Sequence, residues 1–292
     1  MMLYQMFTIQ IPSKGSRNKM KSSGTLWRVV GTASLASTLL LAGGFAFAMR
    51  DMLIVTPSVQ QAARQAPEEA QAGGRYLQAD EILVTALGDS LTKGVGDNSG
   101  RGYVKPVLEQ LKAATGKPVQ QINNLAISGL TAAELDKMLA EDRGLDNPIR
   151  QANLILLTIG GNDLFRPVLE ARENGSSSDI PLDEIEAQIP AAAASLKSIV
   201  ERIRAINPEA TLVYAGLYNP FYDIAELRDG SAAVQRWNDE AYRILAKDEH
   251  AVLVPVMDLF EQRSAAYMAS DHFHPNQDGY VRIAQRIVQA LT

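Results

Sequence analysis

The sequence contains no cysteine and only three histidines, His250, His272 and His274, among its 292 residues. Without cysteine the chain can form neither a disulfide framework nor a thiolate metal site, and a cysteine nucleophile is excluded. Three imidazoles are also too few for a histidine-rich metal cluster. Any catalysis must therefore use chemistry other than a cysteine nucleophile or a histidine-rich metal cluster.

Acidic residues are absent from the first 50 positions, which carry six Lys or Arg. After residue 50 the balance reverses, with 33 acidic residues against 22 basic ones. A body this acidic repels phosphate backbones, so we expect no nucleic-acid partner. The overall composition, 46% hydrophobic and 21% charged, is typical of a globular protein.

A run of 21 residues without charge, 29–49, follows the basic segment and Trp27. A helix of this length just crosses a bilayer core of about 30 Å, and the basic flank would hold the N-terminus in the cytoplasm. The run ends in Ala46-Phe47-Ala48, which also fits a signal-peptidase site. A retained anchor and a cleaved signal peptide both stay open. The length of the run favours the anchor, and both interpretations export the body.

These features divide the chain into four parts. We predict a cytoplasmic basic segment at 1–28, a transmembrane anchor or signal peptide at 29–55, a flexible linker at 56–80 and one domain at 81–292. The linker is rich in Ala, Gln, Gly and Pro and has no sustained apolar periodicity. Met20-Lys21 resembles the start of a conventional signal peptide, so translation from Met20 is an alternative to Met1.

After residue 80, short apolar runs alternate with longer stretches of helical periodicity. The runs predict five strands, and the stretches between them predict helices. This alternation predicts a three-layer α/β/α sandwich with a central, mainly parallel sheet, in which chemistry collects at the carboxyl ends of the strands. The predicted strands are Ile82–Leu87, Val119–Asn123, Leu154–Ile159, Thr211–Leu217 and Ala251–Val256. The predicted helices are Tyr103–Ala114, Ala132–Leu139, Ile185–Ile206, Ala232–Asp248 and Asp278–Leu291.

Two loop segments carry a possible nucleophile and base. Ser90 lies in Gly88-Asp89-Ser90-Leu91-Thr92-Lys93-Gly94, directly after the first strand, although Ser and Asp also favour ordinary turns. Near the end of the chain, Asp271-His272-Phe273-His274-Pro275 precedes the last helix. An Asp three residues before a His can accept a bond from Nδ1 and leave Nε2 free for a serine proton. A metal site would need more ligands than this segment offers.

Two further segments follow strands at the same predicted edge. Asn124-Leu125-Ala126-Ile127-Ser128-Gly129 follows the second strand, and Gly160-Gly161-Asn162-Asp163 follows the third. Backbone N–H groups at a helix start, with a side-chain amide nearby, suit an oxyanion, whereas a turn glycine and a helix cap are the plain alternatives.

Together the four segments, in this order, resemble the blocks of the GDSL, or SGNH, serine hydrolases from about Ile82 to Leu291. The resemblance implies a flavodoxin-like fold with five strands. It also implies Ser90 as nucleophile, His274 as general base, Asp271 as its orienting partner, and an oxyanion hole formed by Ser90, Gly129 and Asn162. His272 is not carried over, and the mechanism needs no metal and no cofactor.

Substrate identity is open at this stage. We expect an exported serine esterase acting on lipid, lysophospholipid or small acyl esters. A carbohydrate or cell-wall O-acetylesterase is the alternative, followed by a non-catalytic envelope module. Aromatic residues after the fourth strand, Tyr218, Phe221 and Tyr222, together with Phe165, either line an acyl pocket or pack under a loop. The sequence does not indicate an oligomeric state.

Overall fold

The computed structural model describes residues 24–53, 75–173, 182–224 and 227–292. The chain divides into two compact units, Met1–Pro67 and Glu68–Thr292. In the first unit the described part is one helix, α1 (Gly24–Leu53). Within the ranges just given, no helix is both long and apolar enough to span a membrane. The anchor predicted over 29–55 thus has no support from the structure, and most of 1–28 and 56–80, with Met20, lies outside the described residues.

The second unit is built on a five-stranded sheet in the order β2-β1-β3-β4-β5, with every neighbouring pair parallel. This confirms the predicted fold class. The first two strands in the chain are therefore neighbours, and β3 lies on the other side of β1. The strands are β1 (Ile82–Gly88), β2 (Val119–Asn124), β3 (Leu154–Thr158), β4 (Thr211–Ala215) and β5 (Ala251–Val254).

Helices cover both faces of this sheet. In chain order they are α2 (Arg75–Gln78), α3 (Ser90–Lys93), α4 (Val104–Thr115), α5 (Ala132–Glu141), α6 (Asp146–Gln151), α7 (Gly161–Glu173), α8 (Leu182–Ile206), α9 (Gly230–Leu245), α10 (Met257–Tyr267) and α11 (Gln277–Leu291). A 3-10 turn, Arg143–Leu145, precedes α6.

Side-chain alternation along the strands creates two apolar layers. In β3, Ile155 and Leu157 pack with helices α5 to α9, whereas Leu154 and Leu156 pack with α2, α4, α10 and α11. Every residue of β3 is buried, as expected for a central parallel strand covered on both faces. The two layers fix the sheet from both sides, so the loops at its carboxyl edge start from a rigid base.

The predicted strands all begin where expected. β1 and β2 end one residue later than predicted, β3 ends one residue earlier, and β4 and β5 end two residues earlier. β4 ends at Ala215 because the side chain of Asn238, and not a neighbouring strand, hydrogen-bonds the backbone of Leu217. The Asn238 amide accepts from the Leu217 N–H and donates to the Leu217 carbonyl. Helices α2, α3, α6 and α10 were not predicted, and α7 was expected only as a helix start after the third strand. The backbone of α10 is non-helical at Arg263 (φ −147°, ψ 38°). A helix interrupted in this way does not need a continuous apolar stripe, which is the sequence pattern that predicts helices.

Candidate active site

Ser90 is held at the carboxyl end of β1 by a close approach of two strands. Gly88 has φ +130°, and a Cβ there would lie 1.9 Å from the carbonyl oxygen of Thr158 in β3. Only glycine allows this contact. Asp89 then caps α3 by accepting from the N–H of Leu91 (3.1 Å). Ser90 is the first residue of α3, and only 3% of its surface is exposed.

His274 is positioned by the loop that precedes α11. Oδ1 of Asp271 accepts from the backbone N–H groups of Phe273 and His274, both at 2.9 Å. The loop is closed by the Ala269 N–H, which donates to the His274 carbonyl at 2.8 Å. The turn also places His272 in the left-handed region (φ 53°) and leaves it exposed. Hydrogen bonds from the loop backbone thus fix the position of the Asp271 carboxylate.

The two loops meet across the edge of the sheet. Nε2 of His274 lies 2.8 Å from Oγ of Ser90, although 184 residues separate them in the chain. On the other side of the ring, Nδ1 lies 2.7 Å from Oδ2 of Asp271. If Nδ1 carries the proton, the ring donates to Asp271 and Nε2 can accept the serine proton. These distances suit general-base activation of a hydroxyl.

The electrostatics of Asp271 favour a carboxylate. Partial burial on its own would raise its pKa, but the backbone N–H of His274, the ring of His274 and the backbone N–H of Phe273 all donate to it. Together these bonds hold the pKa of Asp271 below its usual value. Asp271 is therefore ionised at neutral pH and can stabilise an imidazolium beside it.

The candidate oxyanion donors lie in loops that are bonded to one another. Ser90 starts α3, and the first N–H groups of a helix have no intrahelical acceptor. Gly129 is exposed with φ +81°, and nothing lies within 4 Å of where its Cβ would be. Asn162 Nδ2 donates one hydrogen to the carbonyl of Leu130 at 2.9 Å, which orients the amide and leaves its second hydrogen for a ligand.

Cross-loop hydrogen bonds keep these segments in register. The Ile127 N–H donates to the Gly88 carbonyl at 2.9 Å and joins the second loop to the first. Asp163 accepts from the Ala132 N–H with both carboxylate oxygens (2.9 and 3.1 Å), which joins the third loop to the second. Three of the predicted segments are thus one bonded assembly, and the serine–histidine contact adds the fourth.

A buried polar chain under Ser90 was not predicted. Oδ1 of Asp89 accepts from the Thr158 hydroxyl (2.7 Å), which bonds the Thr92 hydroxyl (2.7 Å), which in turn bonds the hydroxyl of Tyr103 (2.8 Å). Oδ2 of Asp89 is buried without a hydrogen-bond partner among the described residues. Burial raises the pKa of Asp89 to about 7, although the hydrogen bonds from Thr158 and Leu91 act to lower it. The only sequence signal was its position beside Ser90.

His250 lies apart from this arrangement. His250 precedes β5 at the opposite edge of the sheet, where its carbonyl accepts from the Leu212 N–H. Among the described residues, no group of three or more His, Cys, Asp or Glu side chains could hold a metal ion. The geometry is therefore that of a hydroxyl, an imidazole and a carboxylate in series.

Comparison with known families matches residues 86–282 to the GDSL-like lipase/acylhydrolase family. The chain belongs to this family. The resemblance inferred from the four segments is confirmed, and the chain is a hydrolase of ester bonds. The matched region runs from β1 into α11 and includes Ser90, Asp271 and His274.

Two curated relatives cover most of this GDSL hydrolase. The protein YpmR of Bacillus subtilis (strain 168) is 33% identical over 249 residues, which are 84% of this chain and 95% of the relative. Spore germination lipase LipC of Bacillus licheniformis is 30% identical over 214 residues, or 70% of this chain and 94% of the relative. The similarity thus extends over nearly the full length of both relatives.

Solved structures share the fold. Lipase Lip_vut3 from a goat rumen metagenome has a TM-score of 0.61 and 24% identity, covering 72% of this chain and 97% of its own. Axe2, an acetylxylan esterase from Geobacillus stearothermophilus, has a TM-score of 0.52 and 21% identity, covering 72% and 94%. At these identities the likeness concerns the architecture, and it includes enzymes named for different substrates.

Proposed function

We propose that this GDSL hydrolase is a serine esterase that cleaves carboxylic esters through an acyl-enzyme, with Ser90 as nucleophile, His274 as general base and Asp271 as its orienting partner. The observation that carries the proposal is the series of two contacts, 2.8 Å from Ser90 Oγ to Nε2 and 2.7 Å from Nδ1 to Oδ2. Serine alone is a weak nucleophile, and a base at this distance removes its proton during attack.

In the proposed reaction, Ser90 Oγ attacks the ester carbonyl while His274 takes the proton. The tetrahedral oxyanion accepts hydrogen bonds from the Ser90 N–H, the Gly129 N–H and the Asn162 amide, each such donor typically contributing about 10²–10³-fold in rate. His274 then protonates the leaving alcohol, and the same ring activates water to hydrolyse the acyl-enzyme. The ionised Asp271 stabilises the imidazolium in both steps.

The expected substrates are lipid, lysophospholipid or small acyl esters. The alternative, a carbohydrate or cell-wall O-acetylesterase, gains support from the fold shared with an acetylxylan esterase. A non-catalytic envelope module is less well supported, because a binding protein has no need for a serine, an imidazole and a carboxylate in series.

Replacing the nucleophile tests the proposal directly. Ser90→Ala is expected to lower kcat/KM for p-nitrophenyl acetate by at least about 10⁴-fold, as in other serine hydrolases. Ser195→Ala is the matched control, because the hydroxyl of Ser195 donates to the Ala191 carbonyl within its own helix, α8. Circular dichroism would verify that both variants fold. Unchanged turnover in Ser90→Ala would refute the assignment.

Export of the hydrolase domain is a separate proposal. It is supported by the six basic residues of positions 1–50 and the uncharged run at 29–49. Fractionation of cells, with mass spectrometry of the mature N-terminus, tests it. A cleaved end after Ala48 would identify a signal peptide, whereas recovery of the intact chain from the cytosol would refute export.

A further inference from the structure

A small apolar cavity lies beside the serine and the imidazole. Its volume is about 20 Å³, and its walls are formed mainly by Leu91, Gly161, Phe165, Leu217, Tyr218 and Phe273. Three of these residues adjoin the proposed machinery in sequence: Leu91 follows Ser90, Gly161 precedes Asn162, and Phe273 precedes His274. The cavity therefore borders the proposed machinery, where the substrate group next to the reacting carbonyl would enter it.

Aromatic contacts hold one wall of the cavity. The rings of Phe165, Phe221 and Phe273 contact each other pairwise, with centroids 5.8 to 6.1 Å apart. Phe273 also meets the ring of His274 edge to face at 4.9 Å. Phe165 and Phe221 are buried in the core, so this wall cannot move outward without disturbing the packing behind it.

Tyr218 fixes a second wall. Its hydroxyl donates to the carbonyl of Phe273 at 2.9 Å, and its ring stacks on Phe260 with centroids 3.9 Å apart. Tyr218 is itself buried. The bond ties the exit of β4 to the loop that carries His274, so the cavity and the imidazole are positioned by the same contacts.

The size and lining of the cavity limit what it can hold. A site needs about 10–15 Å³ to hold one water molecule, so 20 Å³ accommodates a group of one or two carbons, and a longer chain would extend beyond the cavity. Its walls are almost entirely carbon, which suits the alkyl end of an acyl group rather than a polar alcohol. The charged and polar groups nearby, such as Arg166, lie outside it.

We infer that this cavity receives the acyl group and restricts the hydrolase to esters of short acids, acetyl and propionyl, an inference that rests on the proposed esterase function. Phe165 and Gly161 are then specificity-determining residues. Long-chain lipid esters fit poorly, because most of their acyl chain would lie outside the apolar cavity.

An acyl series on the wild-type protein tests the inference. We expect kcat/KM to be highest for p-nitrophenyl acetate and propionate and to fall at least about tenfold by hexanoate. An open apolar groove would give the opposite trend, because each buried methylene favours binding by about fourfold. Acetate, propionate, butyrate and hexanoate are all used below the concentration at which they aggregate.

Two variants change the cavity in opposite directions. Phe165→Ala removes a wall and is expected to raise the hexanoate-to-acetate ratio of kcat/KM at least about tenfold. Gly161→Ala adds a methyl group whose nearest neighbours, Asp89 Oδ2 and Leu217 Cδ2, would be 3.8 and 3.9 Å away, so it fits without strain. It is expected to lower the propionate-to-acetate ratio. Using ratios cancels any loss of folded protein.

Leu164→Ala is the matched control, because Leu164 is fully buried in the same helix but does not line the cavity. Its acyl ratios should equal those of the wild type. Phe165→Leu gives the same comparison if the alanine variant does not fold. The inference would be overturned if kcat/KM stayed level or rose with acyl length, or if the Phe165 and Gly161 substitutions left the acyl ratios unchanged. In either case, hydrolysis that depends on Ser90 would still support the proposed esterase. Failure to hydrolyse any ester would overturn both.

Discussion

Asp89 offers the sharpest test of how burial controls charge in this hydrolase. Its carboxyl group is fully buried, one oxygen accepts from Leu91 and Thr158, and the other has no partner among the described residues. Burial outweighs the two bonds and raises its pKa to about 7, with the nearby Asp163 carboxylate adding to the effect. Asp89→Asn keeps the shape and the accepting oxygen but removes the charge.

The sign of the effect follows from linkage. Between the unfolded pKa of about 3.9 and the folded value of about 7, the native state holds a proton that the unfolded state has released. The stability contributed by this proton is complete below pH 4 and is lost as the pH rises through 7. A difference of about three pKa units corresponds to about 4 kcal/mol over that window. Above pH 8 both states are ionised and the effect is constant.

Urea denaturation of wild type and Asp89→Asn between pH 4.5 and 8.5 measures the effect. The free energy of unfolding of the variant minus that of the wild type should rise by about 3–4 kcal/mol across this range. Asp258→Asn is the control. A bidentate bond from Arg286 lowers the pKa of Asp258, so the titration of Asp258 changes the free energy of unfolding only below this pH range. A difference between Asp89→Asn and wild type that is independent of pH would refute the reasoning.

Three other outcomes are expected. His274→Ala should lose p-nitrophenyl acetate hydrolysis by at least about 10³-fold while His272→Ala keeps most of it, and the reverse order would move the base to His272. Dialysis against EDTA should leave the rate unchanged, whereas strong inhibition would point to a metal at the Asp271 loop. Asn207→Ala should lower the free energy of unfolding by about 3 kcal/mol in urea, because its buried amide bonds the Ile149 and Ala152 carbonyls. A loss of less than about 0.5 kcal/mol would contradict the stabilising role of these hydrogen bonds.

The sheet could be predicted because buried parallel strands have a strong sequence signal. Leu154–Thr158 is a continuous apolar run ending in a threonine, and its neighbours begin where their apolar runs begin. The ends of strands were harder to predict. At Leu217, for example, the backbone N–H donates to the side chain of Asn238 in a distant helix and not to a neighbouring strand. Helix α10 was missed because its packing, not its periodicity, stabilises it.

The candidate site residues could be named from the sequence because four segments, each after a predicted strand or before a predicted helix, resemble the blocks of the GDSL family in the same order. Their contacts could not be derived from it, since the distance between Ser90 and His274 depends on every element between them. The chain of hydroxyls from Asp89 to Tyr103 joins three segments that carry no common pattern. Phe165 and Tyr218 were named from the sequence as possible pocket residues, but the volume of the cavity could not be predicted, because it depends on how three aromatic rings pack.

The contact between Ser90 and His274 joins a hydroxyl that follows the first strand to an imidazole from the loop before the last helix. A polypeptide still being synthesised, or one clipped before the loop of Asp271 and His274, can build most of the sheet and yet lacks the proposed proton acceptor. Under the proposed mechanism, hydrolysis therefore requires a nearly complete chain, and products truncated before this loop are expected to be inactive rather than partly active.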